Sequence, residues 1–236
     1  MGVVEISFTD RHGGVSEGPW SSLNLGTSIG DDPARVRSNF AALAGGLDAR
    51  PECTVRMSQV KGADVAVLNA VPDDIPVADA LVTSTPELTL LVRAADCVPL
   101  VLADPLAEVV AVAHAGRQGM VAGIVAATAA AMRREGASLI TAWLGPRICG
   151  RCYEVPHAMR DEVARVVPQA WATTGRGTPG LDIGAGVAAQ LAAEGIDVID
   201  VAAQVATCTY ENADLFSYRR QGKRSGRLGG TAQLRS

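Results

Sequence analysis

Two apolar runs joined by an Asp-Pro turn, AADCVPLVLADPLAEVVAVAHAG from Ala94 to Gly116, constrain this chain more than any other segment. Both runs are rich in β-branched residues, the composition of a buried strand pair. Asp104 and Pro105 suit positions i and i+1 of a type I turn. A hairpin closed symmetrically about Asp104–Ala107 sets Ala103 opposite Glu108, Val98 opposite Ala113 and Cys97 opposite His114. Opposed residues share a face with Cβ atoms about 5 Å apart, close enough for a thiol–imidazole hydrogen bond or shared metal ligation. A loop one residue longer or shorter moves the two side chains to opposite faces. Two readings of the pair therefore stand at this level. Free cysteine is commonly inert core packing, and a histidine here could bond a backbone carbonyl. The alternative is a reactive pair at one end of a sheet.

The remaining sequence supports a folded α+β chain. Its 236 residues are 48% hydrophobic and 19% charged, a globular composition. Strands are expected at Val3–Phe8, Thr54–Gln59, Asp64–Leu68, Ala80–Thr83, Leu88–Arg93, Cys97–Ala103, Val109–His114, Leu139–Leu144 and Val198–Val201. Asp32 as N-cap and Pro33 at N1 open a helix to about Ala44. Further helices are expected at Gly119–Glu135, His157–Val167 and Asp182–Ala193. The order is not a strict βαβα alternation, which favours mixed sheets in one domain over residues 1–236. A glycine-rich loop runs from Asp10 to Asp32, and loops of that length tend to be functional. The end of the chain from Ser217 reads as a basic, glycine-rich tail.

Net charge is −4 and no segment is densely basic, which argues against a nucleic-acid partner. The apolar stretches Val109–Ala113 and Val121–Met132 are too short or too alanine-rich to span a bilayer, so no membrane is expected. The first residues lack a basic stretch followed by an apolar one. Five cysteines, an odd count, do not suggest a disulfide framework, and a reducing cytoplasmic setting is expected. Cys149-Gly-Arg-Cys152 is a lone CxxC whose further thiol would be Cys208. A structural zinc site would need a second ligand pair. Arg11 in the long loop, and Arg219 and Arg220 in the tail, could clamp an anion. Asn24 could form a turn or bond a substrate, and His12 could turn toward a site.

Ordered motifs from residue 9 to residue 227 resemble the laccase-domain family, also called YfiH-like, multicopper polyphenol oxidase-like or peptidoglycan editing factor. They are Arg11-His-Gly-Gly-Val-Ser16, Ser22-Leu-Asn-Leu-Gly26, Gln59-Val60-Lys61-Gly62, Ala78-Asp79-Ala80, Ala95-Asp96-Cys97-Val-Pro99, His114-Ala-Gly116, Cys152-Tyr-Glu-Val155 and Ser217-Tyr-Arg-Arg220 with Gly226-Arg227. The resemblance implies a four-layer α/β/β/α sandwich with mixed sheets, like that of a toxin deamidase with a Cys/His pair. It implies catalytic Cys97 and His114, which in relatives hold zinc with a histidine of the QVHG motif. Here Lys61 occupies that histidine's position, and an ammonium ligates zinc only when deprotonated. His12 is an alternative third ligand, and Lys61 could supply a metal's charge in catalysis. Arg11, Asn24, Arg219 and Arg220 are the candidates for substrate and phosphate. The implied activities are phosphorolysis of adenosine, inosine, guanosine or methylthioadenosine, and adenosine deamination, in a monomer or homodimer. Rival readings are a Cys/His amide hydrolase of peptidoglycan precursors and a binding module that has lost its metal. Three histidines cannot supply the multicopper site that older copper-oxidase labels for relatives suggest.

Overall fold

The computed structural model describes residues 3–201 and 208–235. Its central feature is the expected strand pair, β6 (Val98–Asp104) and β7 (Val109–Ala115), buried at every position. Alternation sorts their side chains between two cores. Val98, Leu100 and Leu102 of β6 face a helical layer, with Val109, Ala111, Ala113 and Ala115 of β7. Val101, Ala103, Val110 and Val112 face a second sheet instead.

The strand pair lies inside a six-stranded mixed sheet of order β11-β8-β6-β7-β4-β3. The others are β3 (Val65–Val67), β4 (Ala80–Thr83), β8 (Thr141–Leu144) and β11 (Asp197–Asp200). The second sheet has order β1-β12-β5-β2, from β1 (Val3–Phe8), β2 (Thr54–Arg56), β5 (Thr89–Ala94) and β12 (Leu228–Arg235). Leu90, Val92, Ala232 and Leu234 of this sheet fill the space between the two. Its outer face carries Leu91, which packs with Leu25 and with Leu43 of α1 (Pro33–Gly46). The outer face of the six-stranded sheet is covered by α2 (Arg117–Ala122), α3 (Ile124–Arg134), α4 (His157–Val166) and α5 (Ile183–Ala193). The result is the four-layer α/β/β/α sandwich with mixed sheets. Among the described residues, no helix is long and apolar enough to cross a membrane.

Four local features depart from expectation. The helix expected at Gly119–Glu135 is two, broken at Gly123, whose φ of +89° leaves the helical region. A short hairpin of β9 (Trp171–Thr173) and β10 (Pro179–Leu181) was not expected. The basic tail is instead a short helix α6 (Tyr218–Gln221) followed by β12, a buried central strand between β1 and β5. Its glycines give no strand signal, yet a Cβ on Gly229 would meet Leu25 Cδ1 at 2.8 Å.

The fourth departure is the hairpin register. Asp104 pairs with Val109 and Pro99 with His114, a shift of two from the symmetric turn. Continued, that register sets Cys97 opposite Gly116, with His114 diagonal to Cys97 on the same face. The cause is Asp104. Its Oδ1 accepts the Leu106 and Ala107 N–H groups at 3.0 and 3.1 Å, and its Oδ2 those of Ser138 and Leu139 at 2.7 Å each. Burial alone would raise this carboxyl, but the four N–H groups lower it below its ordinary value. Asp104→Ala leaves those donors without a partner and is expected to cost about 3 kcal/mol or more in urea unfolding. A loss under about 1 kcal/mol would contradict this role for the carboxylate.

Candidate functional site

At the end of the β6–β7 pair a cavity of about 620 Å³ opens, lined by Cys97, His114, Lys61, Arg93, Arg117, Tyr153, Arg219 and Arg227 among others. His114 is the penultimate residue of β7, on the side facing the second sheet, in step with Val110 and Val112. Cys97 precedes β6, after Asp96, whose φ is +88°. Asp96 is kept in that turn by Thr209 Oγ1 at 2.6 Å and by the Arg219 N–H at 2.6 Å. Gly116 completes the corner, where a Cβ would lie 2.9 Å from Cys97 Sγ and 3.6 Å from His114 Cε1.

His114 is 6% exposed and Asp79, just before β4, is fully buried. His114 Nδ1 lies 2.9 Å from Asp79 Oδ1, and the His114 N–H donates to the Asp79 carbonyl at 2.7 Å. The other carboxylate oxygen of Asp79 accepts the N–H groups of Val60 and Gly62 at 3.1 and 2.7 Å. Gln59 pins the same loop by exchanging two hydrogen bonds with the Arg93 backbone, at 2.8 and 3.0 Å. Lys61 sits exposed at the tip with φ +66°, its side chain at the cavity wall.

The charges are coupled. Burial opposes charge on His114, but Cys97 and Asp79 outweigh it, raising the imidazole to about 9. Burial likewise pushes the Cys97 thiol up, but His114, with help from Lys61, lowers it below its ordinary value. The two shifts run toward one another and favour a thiolate beside an imidazolium, with Nδ1 of His114 donating to Asp79. Burial would raise Asp79 as well, yet His114 and the loop N–H groups lower it.

Of the sequence-predicted residues, the cavity brings together Cys97, His114, Lys61 and Arg219. The Arg219 guanidinium stacks over Tyr153 at 4.9 Å and donates to the Glu154 carbonyl at 2.8 Å. Arg11, Asn24, Arg220 and His12 do not line it. Arg11 donates to the carbonyls of Ser21 and Ala213 and covers the Phe216 ring. Asn24 is buried, and holds Asp31 and the Arg227 N–H. Arg220 donates to the carbonyls of Thr209, Tyr210, Asn212 and Leu215. His12 faces solvent beside Asp214 at 2.9 Å, so it is not a third ligand to Cys97 and His114.

Sequence reasoning missed Asp79, Gly116, Arg93, Arg117, Tyr153 and Arg227. A single charge ending the apolar run of β5 was the available signal for Arg93. Its Nε is buried without a partner, and burial with Arg56 and Arg227 nearby lowers it to about 10.

A zinc at Cys97 and His114 does not fit the donors present. Asp79 occupies Nδ1, residue 61 is lysine, and two ligands remain. Among the described residues, the one group of three or more potential His, Cys, Asp or Glu ligands lies elsewhere, at Cys149, Cys152, Cys208 and Glu211. That cluster could hold a metal ion.

A family model described as multi-copper polyphenol oxidoreductase laccase matches residues 5–235. A Streptomyces coelicolor protein named purine nucleoside phosphorylase is 54% identical, over 98% of this chain and 96% of its own. A Deinococcus radiodurans protein of the same name is 38% identical, over 95% and 87%. Among solved structures, Bacillus licheniformis YfiH superposes with a TM-score of 0.88 at 28% identity, covering 98% of this chain and 93% of that one. A Neisseria meningitidis protein superposes with a TM-score of 0.86 at 33% identity, covering 99% and 95%.

Gly116→Ala forces Cys97 Sγ and the new methyl apart and is expected to break the thiolate pair. Ultraviolet thiolate absorbance at neutral pH should be present in the parent protein and absent in Cys97→Ser. It should also fall in Gly116→Ala and His114→Ala. Equal absorbance in the parent and Cys97→Ser would contradict an ionised thiol.

Proposed function

The chain belongs to the multi-copper polyphenol oxidoreductase laccase family, and from that premise we propose that it is a purine nucleoside phosphorylase. Its substrates would be adenosine, inosine, guanosine or methylthioadenosine with inorganic phosphate. The observation that carries this reading is the charge of the cavity. In a chain of net charge −4, Arg56, Lys61, Arg93, Arg117, Arg219 and Arg227 line one space with, among the described residues, a single acidic one, Asp96. Both Asp96 oxygens are already engaged. Such a cluster suits a small polyanion held against a neutral nucleoside.

Phosphate oxygen would attack C1′ of the ribose as the bond from C1′ to the purine breaks. The electron pair of that bond goes to the purine, and the proton that neutralises it comes from Nε2 of His114. Cys97 and Asp79 keep that proton in place until the base departs. The cations neutralise phosphate and share the charge that develops in the transition state. Lys61 contributes at the position of the family's third ligand, Arg219 joins it at phosphate, and Tyr153 offers a ring for the base. Arg11, Asn24 and Arg220 support this wall by ordering the loops behind it. Five free cysteines suit a reducing compartment, in keeping with action in the cytoplasm.

Adenosine and phosphate are expected to give adenine and ribose 1-phosphate. Inosine without ribose phosphate would mean deamination instead, and no product at all would overturn the enzyme reading. Lys61→Met is expected to lower kcat/KM by about 100-fold, with Lys61→Arg recovering part of it. The rate should fall as pH rises through about 9, where His114 loses its proton. A profile unchanged across about 9 would contradict the acid role of His114.

A further inference from the structure

The CxxC of residues 149–152 lies outside the cavity wall described above, and the fold gives it partners far away in sequence. Cys152 and Tyr153 both donate their N–H groups to the Cys149 carbonyl at 3.0 Å, forming a tight turn. A second turn faces it. There Glu211 and Asn212 donate to the Cys208 carbonyl at 3.1 and 2.9 Å, folding Glu211 back over Cys208. The turns are joined by a parallel bridge between Arg147 and Cys208, and by the Thr209 N–H on the Arg147 carbonyl at 3.0 Å. One ligand atom from each of Cys149, Cys152, Cys208 and Glu211 lies within 4.8 Å of the other three. All three cysteines are free thiols.

We infer that Cys149, Cys152, Cys208 and Glu211 form a structural site for one zinc ion. Zinc with thiolates at about 2.3 Å in a tetrahedron separates its ligands by about 3.8 Å, within the span these atoms already occupy. Three sulfurs exclude magnesium and calcium, which take oxygen donors. Four protein ligands leave no open position, as in structural rather than catalytic zinc sites. The outer contacts also suit an anionic centre. The Cys149 N–H points at Cys208 Sγ at 3.4 Å, a contact that favours thiolate over thiol. The Arg220 guanidinium donates to the carbonyls of Thr209, Tyr210 and Asn212, bringing a positive charge into the turn between Cys208 and Glu211. Binding releases three thiol protons and needs no oxidant or reductant.

The site has a position from which to act on the cavity. Thr209, next to Cys208, bonds Asp96, and the Ile148 N–H, beside Cys149, donates to the Asp96 carbonyl at 3.1 Å. Zinc therefore clamps both segments that fix the strained residue preceding Cys97, at a distance from the chemistry.

Metal analysis of the reduced, full-length protein tests this. One zinc per chain is expected, unchanged in Cys97→Ser and reduced at least about 10-fold in Cys149→Ser and Cys208→Ser. Cobalt(II) added to the metal-free parent protein should give the intense visible bands of a tetrahedral thiolate site, and these bands should shift in Glu211→Gln. The cobalt reading needs no cysteine variant to fold. Zinc that follows Cys97 rather than Cys208 would overturn the site. So would protein that takes up neither metal, or a Cys149–Cys152 disulfide in protein purified without oxygen.

Discussion

The buried carboxylate of Asp79 is the interaction on which the cavity depends. One oxygen orients His114 at the end of β7, and the other gathers the N–H groups of the loop that carries Lys61. Two segments far apart in sequence are thereby fixed to one another by a residue that never reaches solvent. A buried carboxylate with hydrogen bonds on both oxygens stays charged, and its charge keeps the neighbouring imidazole protonated. The protonated imidazole in turn lowers the Cys97 thiol below its ordinary value. A chain of three groups, each acting on the charge of the next, sets a thiol of lowered pKa into the wall of a cavity rich in cations.

This chain of charges also explains how the loop tolerates lysine at position 61. The conformation of Gln59–Gly62 is set by Gln59 and Asp79 acting through backbone groups, not by the side chain at its tip. Lys61 therefore adds a covalently attached cation to the cavity wall without holding the loop's backbone. The remaining cations come from four different parts of the fold: β2, β5, the start of α2 and the segment around α6.

Local chemistry made some of this legible in the sequence, and long-range packing hid the rest. The apolar runs of β6 and β7 are legible as a strand pair because each is short and the two are joined by an Asp-Pro turn. Their register was misjudged by two because Asp104 reaches past its own turn to Ser138 and Leu139, partners that spacing cannot reveal. The face shared by Cys97 and His114 survived the error because strand periodicity is also two. The strand β12 was invisible, since Gly229 and Gly230 belong there for closeness to Leu25 and Phe8 and not for strand preference. Arg11 and Arg220 looked like anion clamps, but their donors are spent on loop carbonyls, a use of arginine that composition does not distinguish. The CxxC seemed solitary because Glu211 completes its cluster only after Cys208 folds back beside it.

The most direct test of the Asp79–His114–Cys97 charge chain is an NMR titration of the His114 ring, resolvable in a chain with 3 histidines. The ring is expected to titrate at about 9 in the parent protein, and well below that in Asp79→Asn and in Cys97→Ser. A His114 that titrates at about 6.5 in the parent protein, the ordinary value for histidine, would contradict the ion pair and the acid role built on it.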